Sequence, residues 1–324
     1  MPLLELHGVE VAFGEARILR GVDLEVEAGE TLGIVGESGC GKSMTALAIM
    51  GMVPPPGTVR GRILLDGRDL LSLKPRQWLD VRGQEAALVM QEAALVMQDP
   101  FTSLNPMMRA GDQIAEVLRL HQGKSARQAW DLSIEMLDKV GVPAPESSAR
   151  KYPHQMSGGQ RQRVVIAIAF ACRPKLLIAD EPTTALDVTL QAQILRLIRK
   201  LQEEEGTAVM LISHDIGVIA SLSRRIAVYY AGRVVETGPA SSVLRQPHHP
   251  YTEALLAALP DPRQSRLQAI SGQPPDLTQP IVGCAFAPRC PKRFDRCDED
   301  PVLFDAGASR TACWLVEEAA ARRH

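Results

Sequence analysis

From residue 3 to residue 35 polar and apolar positions alternate, with interruptions at Gly8, Gly14, Gly21 and Gly29. A period of two between turn residues predicts β-strands joined by hairpins. The last run, Thr31-Leu32-Gly33-Ile34-Val35, is almost wholly apolar and reads as a buried strand. Residues 59–66 predict another strand, closed by a turn at Asp66-Gly67, and 75–82 a short helix. From 107 to 140 the spacing becomes helical. Gln113, Ile114, Val117 and Leu118 mark one stretch, and 126–140 is another. A helix over 157–171 begins on a serine suited to cap it. Strand, helix and strand then follow at 175–179, 190–205 and 208–213. Such alternation predicts an α/β fold, a parallel sheet with helices on its faces.

One stretch breaks this order. Residues 84–90 and 91–97 both read Gln-Glu-Ala-Ala-Leu-Val-Met. Seven is odd, so sliding a strand by one copy exchanges its two faces, and the copies cannot both belong to one regular core strand of ordinary length. The expectation is that residues 93–97 form the strand, because they lead directly into Gln98-Asp99-Pro100. The first copy is then expected to loop out or to extend the preceding helix, since Glu, Ala, Leu and Met are good helix formers.

The strand at 31–35 runs into Gly36-Glu37-Ser38-Gly39-Cys40-Gly41-Lys42-Ser43, and Met44 to Met50 reads as a helix. Strand, G-x-x-x-x-G-K-S loop and helix is the arrangement of a phosphate-binding loop. Its glycines let backbone N–H groups turn toward phosphate oxygens, and the helix N-terminus adds partial positive charge. Lys42 would reach the β- and γ-phosphates, and the Ser43 hydroxyl would be a magnesium ligand. Downstream, Leu176 to Glu181 is an apolar run ending in two carboxylates. Asp180 would join the magnesium shell and Glu181 would face an attacking water.

The chain of 324 residues suffices for one large α/β domain and a smaller one. A net charge of −2 asks for neither nucleic acid nor an anionic membrane. The first residues have no basic region and no long apolar core, so no secretory signal is expected there, and no run approaches the length of a bilayer span. Work at a membrane would need partner subunits. After about residue 237 prolines become frequent and four of the six cysteines gather, at Cys284, Cys290, Cys297 and Cys313. In a cytosolic setting disulfides are rare, which makes this group a metal candidate first. Thiolates alone suit a [4Fe–4S] cluster or Zn(Cys)4, with free thiols as the remaining reading. The spacing fits neither the usual zinc-finger pattern nor the bacterial ferredoxin run. Cys40 and Cys172 read as small packing side chains.

Between the loop and the carboxylates lies Met156-Ser157-Gly158-Gly159-Gln160-Arg161-Gln162-Arg163. This resembles the signature of ATP-binding-cassette (ABC) ATPases, with Met156 where that family usually has Leu. The resemblance extends along the chain. Phe13 stands where an aromatic stacks on adenine, Gln98 matches the Q-loop glutamine, Ala185-Leu186-Asp187 resembles the D-loop, and His214 matches the switch histidine. The segment from Asp99 to Pro106, with His249-Pro250-Tyr251-Thr252 and the run from Leu255 to Pro260, resembles the ATPases of dipeptide and oligopeptide importers. His248, His249 and Tyr251 are expected to be structural.

The resemblance implies a RecA-like P-loop nucleotide-binding domain over 1–236, with an antiparallel β subdomain and a helical subdomain at about 99–156. A C-terminal extension over 237–324 would carry the cysteines, and that branch of the family holds a [4Fe–4S] cluster at such positions. It implies ATP bound by Phe13, by residues 36–44 from Gly36 to Met44, and by Gln98. Magnesium would be held by Ser43, Gln98 and Asp180, and Lys42, Glu181 and His214 would be catalytic. Ser157, Gly158, Gly159 and Gln160 would close on a partner's ATP beside the D-loop Asp187. The implied partners are a second, related ATPase in a heterodimer, two transmembrane permease subunits and an extracytoplasmic substrate-binding protein. The implied place is the cytoplasmic face of the inner membrane. Nickel and glutathione importers share the cassette. A soluble ABC protein of DNA repair would need a long coiled-coil insert, and one of translation a second cassette.

Overall fold

The computed structural model describes residues 1–90, 104–183, 186–259 and 270–321. It divides into two compact units, Met1–Ser72 with Leu211–His324, and Leu73–Met210. In the first unit β1 (Leu4–Phe13) and β2 (Ala16–Val26) form a hairpin, and β3 (Thr31–Val35) leads into the helix Lys42–Ile49. β4 (Thr58–Leu65) pairs with the other side of β1, and β5 (Arg68–Asp69) completes an antiparallel sheet in the order β2-β1-β4-β5. Along β1 the buried side chains are Leu4 and Leu6, then Val9 and Val11. Their phase changes because the register shifts between Leu6 and Val9, and an extra residue lets both pairs face inward. Gly8 takes a left-handed φ of 55° at that shift.

The second unit opens with the short helix Trp78–Val81, then β6 (Ala86–Met90). β6 lies parallel to β7 (Leu176–Asp180), with Ala86 opposite Leu176 and Met90 opposite Asp180. This corrects the expectation for the repeated heptapeptide: the first copy is a sheet strand, neither looped out nor helical. Both copies offer identical side chains, so position decides. The turn at Gly83 (φ 80°) sets the chain directly into the sheet, and the Glu85 carbonyl accepts from the Lys175 and Leu176 amides at 2.9 and 3.1 Å. The second copy lies outside the described residues. The helices Ala110–Gln122 and Ala126–Lys139 pack together, the first ending on left-handed Gly123 and the second capped by Ser125. The helices Gly158–Phe170 and Val188–Glu205 flank β7 in sequence, and β8 (Ala208–Ile212), buried throughout, carries the chain onward.

Back in the first unit, β9 (Arg225–Tyr230) lies parallel to β3, and β10 (Arg233–Pro239) turns back against it. β11 (Phe304–Ala306) and β12 (Ser309–Thr311) form a hairpin whose second strand pairs with β10. The expected boundary at residue 237 therefore falls inside a strand, and the extension continues the sheet of the first unit. Among the described residues no helix is long and apolar enough to cross a membrane.

Behind β10 the Glu236 side chain is fully buried and accepts the His248 and His249 amides at 2.8 and 3.1 Å. Burial pushes its carboxyl above the usual range. His249 is 1% exposed, and its Nδ1 accepts the Tyr251 amide at 3.0 Å, capping the helix Pro250–Ala257. Burial holds its imidazole neutral, with a pKa of about 3. An unfolded histidine protonates near about 6.5, so the unfolded state binds more protons between these values and stability falls as pH drops through that window. From pH 7 to pH 5 the loss attributable to His249 should be about 2 kcal/mol. In His249→Asn, whose Oδ1 keeps the acceptor, denaturant titrations at the two pH values should differ by correspondingly less. An equal drop in parent and variant would clear His249 of this role.

Candidate nucleotide-binding site

The phosphate loop follows β3, all five residues of which are buried. Gly33 is pressed against Ile219 and Ser223, where a Cβ would collide with both side chains. At Gly36 a Cβ would run into the Tyr229 carbonyl oxygen, and at Gly41 it would stand 2.7 Å from Leu19 Cδ2 with φ at 104°. The glycines thus bring the loop onto neighbouring backbone and let it turn where other residues would be strained. The Cys40 carbonyl accepts the Gly232 amide at 2.9 Å, which ties the loop to the β9–β10 turn. Cys40 is buried beside Lys42, and burial pushes its thiol up. Its Sγ accepts from Lys42 Nζ at 3.7 Å.

Lys42 is 6% exposed, and its Nζ donates to the Gly36 and Glu37 carbonyls at 2.8 and 2.9 Å. It starts the helix Lys42–Ile49, with exposed Ser43 in the first turn. Phe13 ends β1 half-buried against Gly57, where a Cβ would come within 2.8 Å of its ring. Exposed His214 follows β8, just before Asp215, which caps the helix Ile216–Leu222 by accepting the Gly217 and Val218 amides.

Glu37 is held from three directions. Its carboxylate takes two hydrogen bonds from Arg289, Nη1 to Oε2 at 2.6 Å and Nη2 to Oε1 at 2.9 Å. Its amide donates to the Tyr251 hydroxyl at 2.9 Å, and its carbonyl accepts from Lys42. The Arg289 side chain is 4% exposed and also donates to the Tyr230 hydroxyl and the Ser271 carbonyl. Its bonds to Glu37 hold the guanidinium pKa above the usual range. Sequence reasoning passed over Arg289 and gave Tyr251 only a structural role. Arg289 carries no motif and stands 252 positions from its partner.

In the second unit β7 delivers Asp180, 4% exposed, at its end. Glu181 then adopts a left-handed φ of 48°, a conformation that costs a non-glycine residue about 1 kcal/mol or more and is typical of functional sites. The signature opens a helix as predicted. Ser157 Oγ accepts the Gln160 amide at 3.3 Å, and Gln160 Oε1 accepts the Ser157 amide at 3.0 Å, a reciprocal capping box. Gln162 donates to the Pro182 carbonyl at 2.8 Å, fixing this helix to the turn after Glu181. Asp187 caps the helix Val188–Glu205 by accepting the Leu190 amide at 2.9 Å. Gln98 lies outside the described residues.

The thiols of Cys284, Cys290, Cys297 and Cys313 all lie within electrostatic reach of one another, and none is in a disulfide. The Lys292 amide donates to the Cys290 sulfur at 3.4 Å, and the Ala287 amide to the Cys284 carbonyl at 2.9 Å. Burial pushes the Cys313 thiol up to about 12, so a metal would have to displace its proton. Among the described residues no group of three or more His, Cys, Asp or Glu stands close enough to hold a metal ion.

The two signature glycines differ in surroundings. A Cβ on Gly159 would stand 2.7 Å from Leu190 Cδ2, whereas one on exposed Gly158 meets only Leu186 Cδ2 at 4.0 Å. Gly159→Ala should therefore destabilise the chain by about 1–3 kcal/mol through overpacking, and Gly158→Ala by well under half of that. Melting curves of both variants check this, and equal losses would contradict it.

The sequence from residue 19 to 184 matches the family model described as ABC transporter, and 235–297 matches the oligopeptide/dipeptide transporter C-terminal region. The chain is 49% identical to a probable peptide ABC transporter ATP-binding protein of Sinorhizobium fredii, over 98% of this chain and 96% of that one. It is 47% identical to the oligopeptide transport ATP-binding protein OppD of Bacillus subtilis, over 97% and 89%. Among solved structures it is similar to the dimeric ATP-binding cassette MJ0796 in a post-hydrolysis state with ADP and phosphate, at TM-score 0.63 and 29% identity, over 73% of this chain and 98% of that one. With the phosphate loop, the acidic strand end and the signature helix all present on such a cassette, the chain belongs to the ABC transporter family.

Proposed function

We propose that this chain is the ATP-hydrolysing subunit of an importer for di- and oligopeptides. It works peripherally on the cytoplasmic face of the inner membrane, in a heterodimer with a second, related ATPase. Two transmembrane permease subunits and an extracytoplasmic substrate-binding protein complete the assembly. The observation that carries this reading is the glycine-shaped phosphate loop with Lys42 folded over it, on a chain similar along nearly all its length to ATP-binding proteins named for peptide transport.

Each residue has a role in this reading. Loop amides and the helix N-terminus receive the phosphates, and Lys42 exchanges its two carbonyl partners for β- and γ-phosphate oxygens. Phe13 stacks on adenine. Ser43, Gln98 and Asp180 hold magnesium, which spreads the phosphate charge when bound. Glu181 orients the attacking water and accepts its proton, and His214 contacts the γ-phosphate. Ser157, Gly158, Gly159 and Gln160 cover the ATP of the partner cassette, with Asp187 alongside. Contacts that require the γ-phosphate favour the closed dimer, and hydrolysis removes that preference.

The four late cysteines would hold a [4Fe–4S] cluster, with a structural role. Their mutual proximity, their free state and the Lys292 amide on the Cys290 sulfur support it.

Glu181→Gln should bind ATP yet turn over about 100-fold more slowly or worse, within the range for loss of a general base. Near-normal hydrolysis would take Glu181 out of this role. Anaerobic purification from solubilised membranes should recover two multi-span proteins and a second cassette. Recovery with ribosomes or nucleic acid, and no membrane partner, would overturn the transport reading. The same preparation should contain iron and acid-labile sulfide, both lost in Cys297→Ser. Zinc in their place would overturn the cluster.

A further inference from the structure

The second residue of the phosphate loop is an acid, and the ligand of that loop is a polyanion. A bare carboxylate at Glu37 would repel the ATP that its neighbours attract. The charge is answered from the C-terminal extension, where Arg289, next to Cys290, meets Glu37 through two hydrogen bonds at 2.6 and 2.9 Å. The guanidinium is itself fixed by the Ser271 carbonyl at 2.8 Å and the Tyr230 hydroxyl at 3.2 Å, with its side chain 4% exposed. It is built into place rather than resting on the surface. Tyr251, from the same extension, takes the Glu37 amide.

We infer that Arg289 is a positioning residue for ATP. Carried by the cysteine-bearing segment, it neutralises Glu37 and fixes the loop, so that the extension sets nucleotide affinity. The inference rests on the ATP-binding reading above. It separates two effects that a purely mechanical brace would not. Removing the cation leaves an unopposed anion in the loop, whereas removing the anion leaves an unopposed cation beside it. The two neutralising substitutions should therefore shift affinity in opposite directions.

The test is equilibrium binding of a fluorescent ATP analogue to the full chain, purified anaerobically, at low and at high salt. Arg289→Gln should raise Kd roughly tenfold at low salt, within the usual range of coupling between neighbouring sites. The defect should shrink as salt screens the exposed carboxylate. Glu37→Gln should bind as tightly as the parent or more tightly, the double variant should return to within about threefold of the parent, and Arg289→Lys should fall between parent and Arg289→Gln. Equal weakening by Glu37→Gln and Arg289→Gln, or no weakening by Arg289→Gln, would overturn the inference. Should Arg289→Gln fail to fold, Glu37→Gln and the double variant still decide it, since weakening in Glu37→Gln contradicts it alone. A parent chain that binds no ATP would instead overturn the nucleotide-binding reading itself.

Discussion

At Gly36 any side chain would collide with the Tyr229 carbonyl, so the phosphate loop and β9 meet backbone to backbone. That approach sets the rest of the first unit's site. It requires β3 and β9 to lie side by side in parallel, which they do from Leu32 opposite Arg225 to Val35 opposite Val228. It also requires a bare Cα at Gly33, against which Ile219 and Ser223 pack. With the loop placed in this way, Arg289 and Tyr251 hold its second residue and Lys42 folds onto the Gly36 and Glu37 carbonyls.

The signature helix meets a similar demand by other means. Two of its N-terminal amides, those of Ser157 and Gln160, are satisfied from within by a reciprocal capping box. The cap defines the helix start before any phosphate is present, so the two glycines are presented at a fixed place. Gln162 carries that placement to the turn after Glu181. Within one unit, the signature helix and the turn after Glu181 are therefore linked through a single side-chain contact.

Much of this was legible along the chain because the determinants are local. The phosphate loop, the buried strand before it, the serine cap at 157 and the acidic end of β7 each follow from residues within a few positions of one another. What was not legible depends on distant residues. β10 and the pairing of β12 with it cross the expected boundary at residue 237, since a composition change marks prolines and not strand partners. The Arg289–Glu37 pair joins opposite ends of the sequence and has no periodicity to reveal it. For the repeated heptapeptide the two copies are chemically identical, so no reading of side chains could choose between them, and the turn at Gly83 made the choice.

That choice changes how the chain beyond β6 is counted. β6, the first copy, is described to Met90, and Gln98 stands eight positions beyond that residue in the sequence. The duplication thus copies the glutamine along with the strand, giving two residues the same local preface, Ala-Ala-Leu-Val-Met. Deleting either heptapeptide yields one and the same shortened protein, in which a single glutamine closes the strand. In sequence Gln91 and Gln98 are thus equivalent, and the shortened protein keeps a single glutamine after Ala-Ala-Leu-Val-Met.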